Sequence, residues 1–290
     1  MDKYSVLMSV YHKEKADYFK ASVDSMLGQT VLPDEIVIVE DGPLTQSLYE
    51  AIDEYKNKYP EIFTIVKLEK NQGLGNALNA GLMKCRNELV ARMDTDDISY
   101  PERCEKQLLA YEKNNNLDIL GTQISEFIDT TDRVVSSRVV PTTHNDICEF
   151  ARRRSPFNHP TVMYKRSKVL ELGGYKGYGR KEDLELFISM VNENSYAENL
   201  EESLLYYRSN ADNMRRRRTW TNCSEYIKIM FKFYKKGYSG ISDMIYVVCG
   251  QLAMYLMPYF ILEKLNKKYL RTSVDNSSVD RKERKECVEF

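Results

Sequence analysis

Short runs of apolar, β-branched residues alternate with apolar stripes at helical spacing through the first third of the chain, and this alternation narrows the fold more than any other feature. Val6 to Val10 is a strand-like run, followed by Phe19, Val23, Met26 and Leu27 at the spacing of one helix face. Pro33-Asp34 interrupts, and Glu35-Ile-Val-Ile-Val39 forms a second run that ends in Glu40-Asp41-Gly42. Leu48, Ile52, Tyr55 and Tyr59 mark the next helix before Pro60, and Ile62 to Leu68 the third strand. Leu74, Leu78, Leu82 and Cys85 follow as a third helix, and Leu89 to Met93 as a fourth strand. Such runs joined by amphipathic helices predict an α/β fold with a Rossmann-like, mostly parallel sheet covered by helices on both faces. Ligands of these sheets bind at the carboxyl ends of the strands. Two acidic clusters, Glu40-Asp41 and Asp94-Thr95-Asp96-Asp97, fall at that edge.

The middle of the chain is less regular. A helix start is expected at Pro101, strands at Leu117 to Gly121, Val134 to Val140 and Thr161 to Tyr164, and a short basic helix at Asn145 to Arg154. Ser167 can cap a short helix that stops at Gly173-Gly174. Glu182-Asp183 opens a helix whose Leu184, Phe187, Ile188 and Val191 face inward, and Ser203 to Arg208 reads as a closing strand. Further on, Trp220, Cys223, Ile227, Met230, Phe231 and Tyr234 make a broad helical face, and Met244 to Leu262 carries no charged residue. The expected organisation is an α/β domain over 1–212, a C-terminal helical extension over 213–271, and a polar, disordered tail over 272–290. Met244 to Leu262 is long enough to cross a hydrocarbon core. Gln251 and Pro258 interrupt it, however, and Lys235-Lys236 and Lys264 flank it with positive charge on both sides. It therefore lies in the membrane plane, packs as an accessory helix, or spans.

A net charge of −1 over 290 residues points to no nucleic acid and no polyanionic partner. The six cysteines form no CxxC pair and have no histidine at zinc-ligand spacing, and three histidines exclude a His-rich metal site. Scattered thiols, and a first strand that begins without a charged and apolar leader, point to a cytoplasmic protein.

Asp94-Thr95-Asp96-Asp97 places three carboxylates in four residues, where a hard divalent cation and a diphosphate can meet. The alternative is a solvated turn with Asp97 or Ser99 capping the next helix. Asp41 can accept hydrogen bonds from a base or sugar hydroxyl, and Asn71-Gln-Gly-Leu-Gly75 lets backbone approach a nucleotide or simply turns. Glu182-Asp183 is either a helix cap or a carboxylate pair fixed for general-base work. His159 lines a substrate cleft or is a structural loop histidine.

In this order the segments resemble inverting family 2 glycosyltransferases of the GT-A fold. The matching stretches are Ser5 to Tyr11, Ser22 to Thr30, Glu35 to Gly42, Asn71-Gln-Gly73 with Ala77 to Gly81, Met93 to Arg103, Asn158 to Met163, and Gly179 to Leu186. The resemblance is strongest to bacterial enzymes that build capsule, exopolysaccharide or O-antigen repeats. It implies that Val10, Tyr11, Glu14, Asp41, Asn71, Gly75, Asp94 and Thr95 bind a UDP-sugar, and that Asp94 and Asp96, the ends of a DxD element, hold Mn²⁺ or Mg²⁺. Asp183 then matches the catalytic base, with Glu182 and His159 on the acceptor side. The implied acceptor is a polyprenyl-diphosphate-linked sugar at the inner face of the cell membrane, with peripheral membrane contact; a homodimer is left open.

One departure matters. Many relatives follow the last strand with Arg-x-His, whereas Asn210 stands here in place of that histidine. Arg208, or the run Arg215 to Arg218, then covers the diphosphate, or the run is a solvated or lipid-facing patch. Competing classes are a sugar-1-phosphate nucleotidyltransferase, which would want a Gly-rich, Arg-containing loop where Tyr11-His-Lys-Glu-Lys15 stands, and a catalytically inactive nucleotide-sugar-binding subunit.

Overall fold

The computed structural model describes residues 2–176, 181–209 and 218–257. Four parallel strands form one half of its sheet. β1 (Tyr4–Val10), β2 (Glu35–Glu40), β3 (Phe63–Lys67) and β4 (Leu89–Arg92) are joined by α1 (Ala16–Leu27), α2 (Gln46–Lys58) and α3 (Leu74–Leu82). β1 lies between β2 and β4, and β3 flanks β2. The period-2 alternation of these strands divides the core. Tyr4, Val6, Met8, Val10, Ile36 and Ile38 pack under α1 and α2, while Leu7, Val37 and Val39 face α3.

The other half is mixed. It contains β5 (Ile98–Ser99), α4 (Arg103–Lys113), β6 (Leu117–Phe127), β7 (Val134–Arg138), α5 (His144–Ala151), a 3₁₀ turn (His159–Thr161), β8 (Met163–Lys165), α6 (Arg166–Glu171), α7 (Glu182–Asn192) and β9 (Tyr196–Arg208). Among the described residues nine strands run in the order β3-β2-β1-β4-β8-β6-β9-β5, with β7 added to β6. β8 is antiparallel to β4 and β6, and β6 is parallel to β9. α8 (Trp220–Lys235) and α9 (Ile241–Leu256) complete the described chain.

Several expectations shift. Neither Asp97 nor Ser99 caps α4; both are buried, and the helix starts after Glu102 with no side-chain cap. Thr161 closes the 3₁₀ turn, so β8 starts only at Met163. Ser167 sits inside α6, where its hydroxyl donates to Glu88. α8 buries Cys223, Ile229, Met230 and Phe233 but leaves Trp220 and Phe231 exposed. α9 turns Asp243, Met244 and Val247 inward. No helix of the described residues is long and apolar enough to cross a membrane. Residues 258–262 of the uncharged stretch, Asn210, the arginines up to 217 and the tail lie outside the described residues.

Candidate active site

The exits of β1, β2 and β4 lie side by side, with Val10 paired to Glu40 and Leu7 to Arg92. After β1, Tyr11 is exposed and meets the His12 ring edge-on at 5.7 Å. Glu14 turns back toward the β4 exit. Its Oε1 accepts from the Lys15 N–H at 2.8 Å and its Oε2 from the Thr95 hydroxyl at 3.1 Å. Burial raises the Glu14 pKa, and Asp94 adds a smaller push in the same direction.

After β2, the Asp41 N–H donates to the Val10 carbonyl at 2.8 Å, and its carboxylate accepts from the N–H groups of Gln72 (2.7 Å) and Gly73 (3.1 Å). Asn71 Nδ2 donates to the Asp41 carbonyl at 3.2 Å. Gly42 has φ +82°, and a Cβ there would stand 2.4 Å from the Asn71 nitrogen, so only glycine fits this turn. Asp41 therefore shapes the Asn71–Gly75 loop from below, and each of its oxygens keeps a lone pair for a ligand.

The β4 exit carries the acidic turn. Carboxylate oxygens of Asp94, Asp96 and Asp97 lie within 4.8 Å of one another. The Ser22 hydroxyl donates to the Asp94 carbonyl at 2.7 Å. Gln29 braces the next segment, donating to the Tyr100 carbonyl at 2.8 Å and accepting from the Cys104 N–H at 3.0 Å. Burial, then the charges of Asp94 and Glu14, push Asp96 up to about 7. Asp97 is raised well above the ordinary range, by burial and then by Asp96. Its Oδ2 is buried and has no partner among the described residues. Crowded, mutually repelling oxygens with an orphan among them fit a hard divalent cation.

Arg208, at the end of β9, closes one side. Its Nε donates to the Asp96 carbonyl at 2.8 Å, and its guanidinium stacks between the rings of Tyr18 (3.9 Å) and Phe127 (4.5 Å).

Arg92 joins this cluster to the second acidic pair. It is buried, and its Nη2 stands 2.5 Å from Asp94 Oδ1. Its charge also favours the ionised form of Glu182 and opposes protonation of His159. Glu182 and Asp183 open α7, where the N-cap is Lys181 and no side chain caps the helix, so the pair is not a cap. Glu182 is buried with Oε2 unpartnered among the described residues, and burial, then Asp183, raise it to about 7. Gly75 makes the approach possible, since a Cβ there would meet Glu182 Cβ at 3.1 Å. Asn79 holds the preceding segment by two bonds to the Tyr175 backbone, at 2.7 and 2.8 Å. His159 Nε2 lies 3.3 Å from the Tyr175 hydroxyl, and burial, then Arg92, hold its pKa well below the usual value. It is a neutral hydrogen-bonding group here.

The structure thus brings Glu14, Asp41, Thr95, the acidic turn, Arg208, Gly75 and the Glu182-Asp183 pair to one edge, while Tyr11 stands exposed at its rim. Sequence reasoning missed Arg92, the buried role of Asp97, and Tyr175. The available signal was an arginine inside the apolar strand Leu89-Val-Ala-Arg92, a position that a charge occupies only with a partner.

Sheet order and acidic edge define a GT-A-type α/β fold. A similar architecture is found in the mannosyltransferase PcManGT from Pyrobaculum calidifontis, solved with GDP-Man and Mn²⁺, at a TM-score of 0.60 and 14% identity over 97% of this chain and 79% of that one. Residues 5–184 match the family described as Glycosyl transferase family 2, and the chain belongs to that family of glycosyltransferases. The amylovoran biosynthesis glycosyltransferase AmsE of Erwinia amylovora is 37% identical over 91% of this chain and 98% of its own length. The UDP-Gal:alpha-D-GlcNAc-diphosphoundecaprenol beta-1,3-galactosyltransferase of Escherichia coli is 32% identical over 93% and 97%.

Proposed function

We propose that the protein transfers a sugar from a UDP-sugar to a hydroxyl of a lipid-linked saccharide, with inversion at the anomeric carbon, in the synthesis of a cell-surface polysaccharide. The observation that carries this is that buried Arg92, ion-paired with Asp94 of the Asp94–Asp97 turn, also favours the ionised form of Glu182, which opens α7 beside Asp183. The relatives' names support the pathway, and the galactosyltransferase's name supports a UDP donor and a diphosphate-linked acceptor.

Tyr11 and Asp41 would hold the uracil and ribose, with Val10, Glu14, Asn71, Gly75 and Thr95 around them. Asp94, Asp96 and Asp97 would hold Mn²⁺ or Mg²⁺, which supplies neutralisation of the diphosphate. Arg208, held on the Asp96 carbonyl, would add a fixed positive charge. Asp183 takes the proton of the acceptor hydroxyl as its oxygen bonds to the anomeric carbon, and the bond from that carbon to the UDP oxygen breaks on the other face. Glu182 and His159 orient the acceptor. Residues 1–212 would form the catalytic domain, and α8 and α9, within the region 213–271, would rest on the inner face of the membrane. This reading is tested by UDP release from a panel of UDP-sugars, with and without Mn²⁺ and a lipid-linked acceptor. Release from no UDP-sugar under any of these conditions would sink it.

A further inference from the structure

Two cations beside the acidic turn are held on one tyrosine, Tyr18, to which the transfer reading gives no role. Tyr18 lies in the first turn of α1 and is partly exposed. The Arg208 guanidinium carbon stands 3.9 Å from the centre of its ring, and Lys15 Nζ stands 4.7 Å from the same centre. Lys15 Nζ also donates to the Tyr18 hydroxyl at 3.3 Å. Arg208 is tied down further. Its Nε donates to the Asp96 carbonyl at 2.8 Å, its Nη1 to the Asp129 carbonyl at 3.4 Å, and the Phe127 ring lies 4.5 Å away. The backbone of Lys15 hangs on the same turn through Glu14, which accepts from the Lys15 N–H with one oxygen and from the Thr95 hydroxyl with the other. Rings, a hydroxyl and carbonyls are thus the partners of both side chains. Among the described residues neither has a carboxylate at ion-pair distance. The charge of Arg208 reaches Glu14, but more weakly than burial, two hydrogen bonds and Asp94 act on that carboxyl.

A tyrosine face attracts cations through its ring quadrupole, but two like charges on one ring also repel each other. An anion received between them relieves that repulsion. We propose that Lys15 and Arg208, presented on the Tyr18 ring beside the acidic turn, bind the β-phosphate of the departing UDP, with Tyr18 as the positioning residue. The inference rests on the transfer reading above and adds Lys15 and Tyr18 to its donor side. Charge balance argues for it. The diphosphate of a UDP-sugar carries two negative charges, which one divalent cation matches. As the bond from the anomeric carbon to the β-phosphate oxygen breaks, its electron pair stays on that oxygen and adds a third. An ammonium and a guanidinium fixed beside the turn meet this excess, and they are needed most as it develops. The lysine meets it as a point charge on a flexible stem, the clamped arginine as a fixed fork.

The test is calorimetric titration of the Mn²⁺-loaded protein with UDP and with UMP, which lacks the β-phosphate. Wild type is expected to prefer UDP. Tyr18→Leu should weaken UDP binding about tenfold and leave UMP within twofold of wild type. Lys15→Gln should weaken UDP alone, by a smaller factor. Tyr18→Phe keeps a ring under Arg208 and should recover most of the UDP affinity lost in Tyr18→Leu. In the Tyr18→Leu background Lys15→Gln should cost less than twofold more, because the lysine has already lost its seat. Lys58→Gln, which breaks a lysine–tyrosine contact of 5.1 Å at the end of α2, is the control and should change neither affinity. Wild-type UDP affinity in Tyr18→Leu overturns the proposal, as does equal wild-type affinity for the two nucleotides. Equal losses toward UDP and UMP overturn it too, since Tyr18 would then support the nucleotide pocket as a whole. Tyr18→Phe falling as far as Tyr18→Leu removes the ring from its role. Failure of the wild type to bind either nucleotide would strike the transfer reading beneath it as well.

Discussion

The backbone N–H of Arg208 donates to Asp97 Oδ1 at 2.8 Å, tying the end of β9 to the acidic turn 111 residues earlier. Asp97 thereby has two faces, one oxygen spent on the backbone and one buried without a partner among the described residues. Asp97→Asn keeps an acceptor for Arg208 and removes a charge. It is expected to stay within about 1 kcal/mol of wild-type stability while weakening Mn²⁺ binding at least tenfold. Asp97→Leu loses the acceptor as well and should cost about 1–3 kcal/mol. Denaturant unfolding and Mn²⁺ titration by paramagnetic resonance separate the two effects; unchanged Mn²⁺ affinity in the Asn variant would remove Asp97 from the ligand set.

Asp96 is the centre of the repulsion, raised to about 7 by burial and then by Asp94 and Glu14. A cation relieves that repulsion and needs the deprotonated carboxylate, so Mn²⁺ affinity should rise with pH up to about 7 and level off above it. At a hundredfold excess over Kd, Mn²⁺ should stabilise the wild type by about 2.7 kcal/mol. Asp96→Ala should abolish this gain together with turnover, and chelation should stop transfer in the wild type. Thermal melts with and without Mn²⁺ at pH 5 and 8 check it, and an equal shift at both pH values would contradict it.

Glu182 gives a stability signature with a definite sign. Its folded pKa, about 7, lies above the ordinary 4.5, chiefly through burial and then through Asp183. The folded state thus holds a proton that the unfolded chain has released. The contribution is full below about pH 4.5 and is lost as the pH rises to about 7. The loss is of order 3 kcal/mol for the whole shift. Glu182→Gln should flatten this part of the profile, as read by urea unfolding of metal-free protein from pH 4 to 8. A parallel decline in wild type and variant would show that other groups produce it.

Asp183→Asn keeps the shape of the side chain and removes the base. Transfer should fall by about 10²–10⁴, the usual contribution of general-base catalysis, while UDP binding measured by calorimetry stays within twofold of wild type. Near-normal turnover would reassign the base.

The parallel half of the fold was legible because each strand there is a continuous apolar run and each helix a clean stripe, so local pattern and tertiary burial agree. The mixed half was less so. β6 runs eleven residues, Leu117–Phe127, through polar Thr122, Gln123, Ser125 and Glu126. These are buried, and Gln123 shows how: its side chain exchanges hydrogen bonds with both N–H and carbonyl of Val140, at 2.7 and 3.1 Å. No local pattern encodes such a partner. In the site, acids at strand ends announced themselves, whereas Arg92 acts through space on groups as far along the chain as Glu182.

Gly75 tests how closely the acidic pair must be held. It lies in the first turn of α3, where alanine is favoured over glycine by up to about 1 kcal/mol in helix propensity. Yet the added Cβ would meet Glu182 Cβ at 3.1 Å and both Glu182 Cγ and Tyr175 Cβ at 3.5 Å, so the start of α7 must move by a few tenths of an ångström. The propensity gain and the crowding oppose each other, and Gly75→Ala should keep stability within about 1 kcal/mol of wild type. Turnover should not be spared, because a shift of about 1 Å near reacting groups costs as much as 10²-fold. We expect kcat to fall about tenfold, in proportion to the smaller shift, with UDP affinity within twofold of wild type. Gly75→Val, with two further carbons aimed at Glu182, should lose both stability and transfer. Steady-state kinetics beside UDP calorimetry distinguish the cases. Wild-type kcat in Gly75→Ala would mean that the separation of α3 from α7 is set by packing and that transfer does not depend on it.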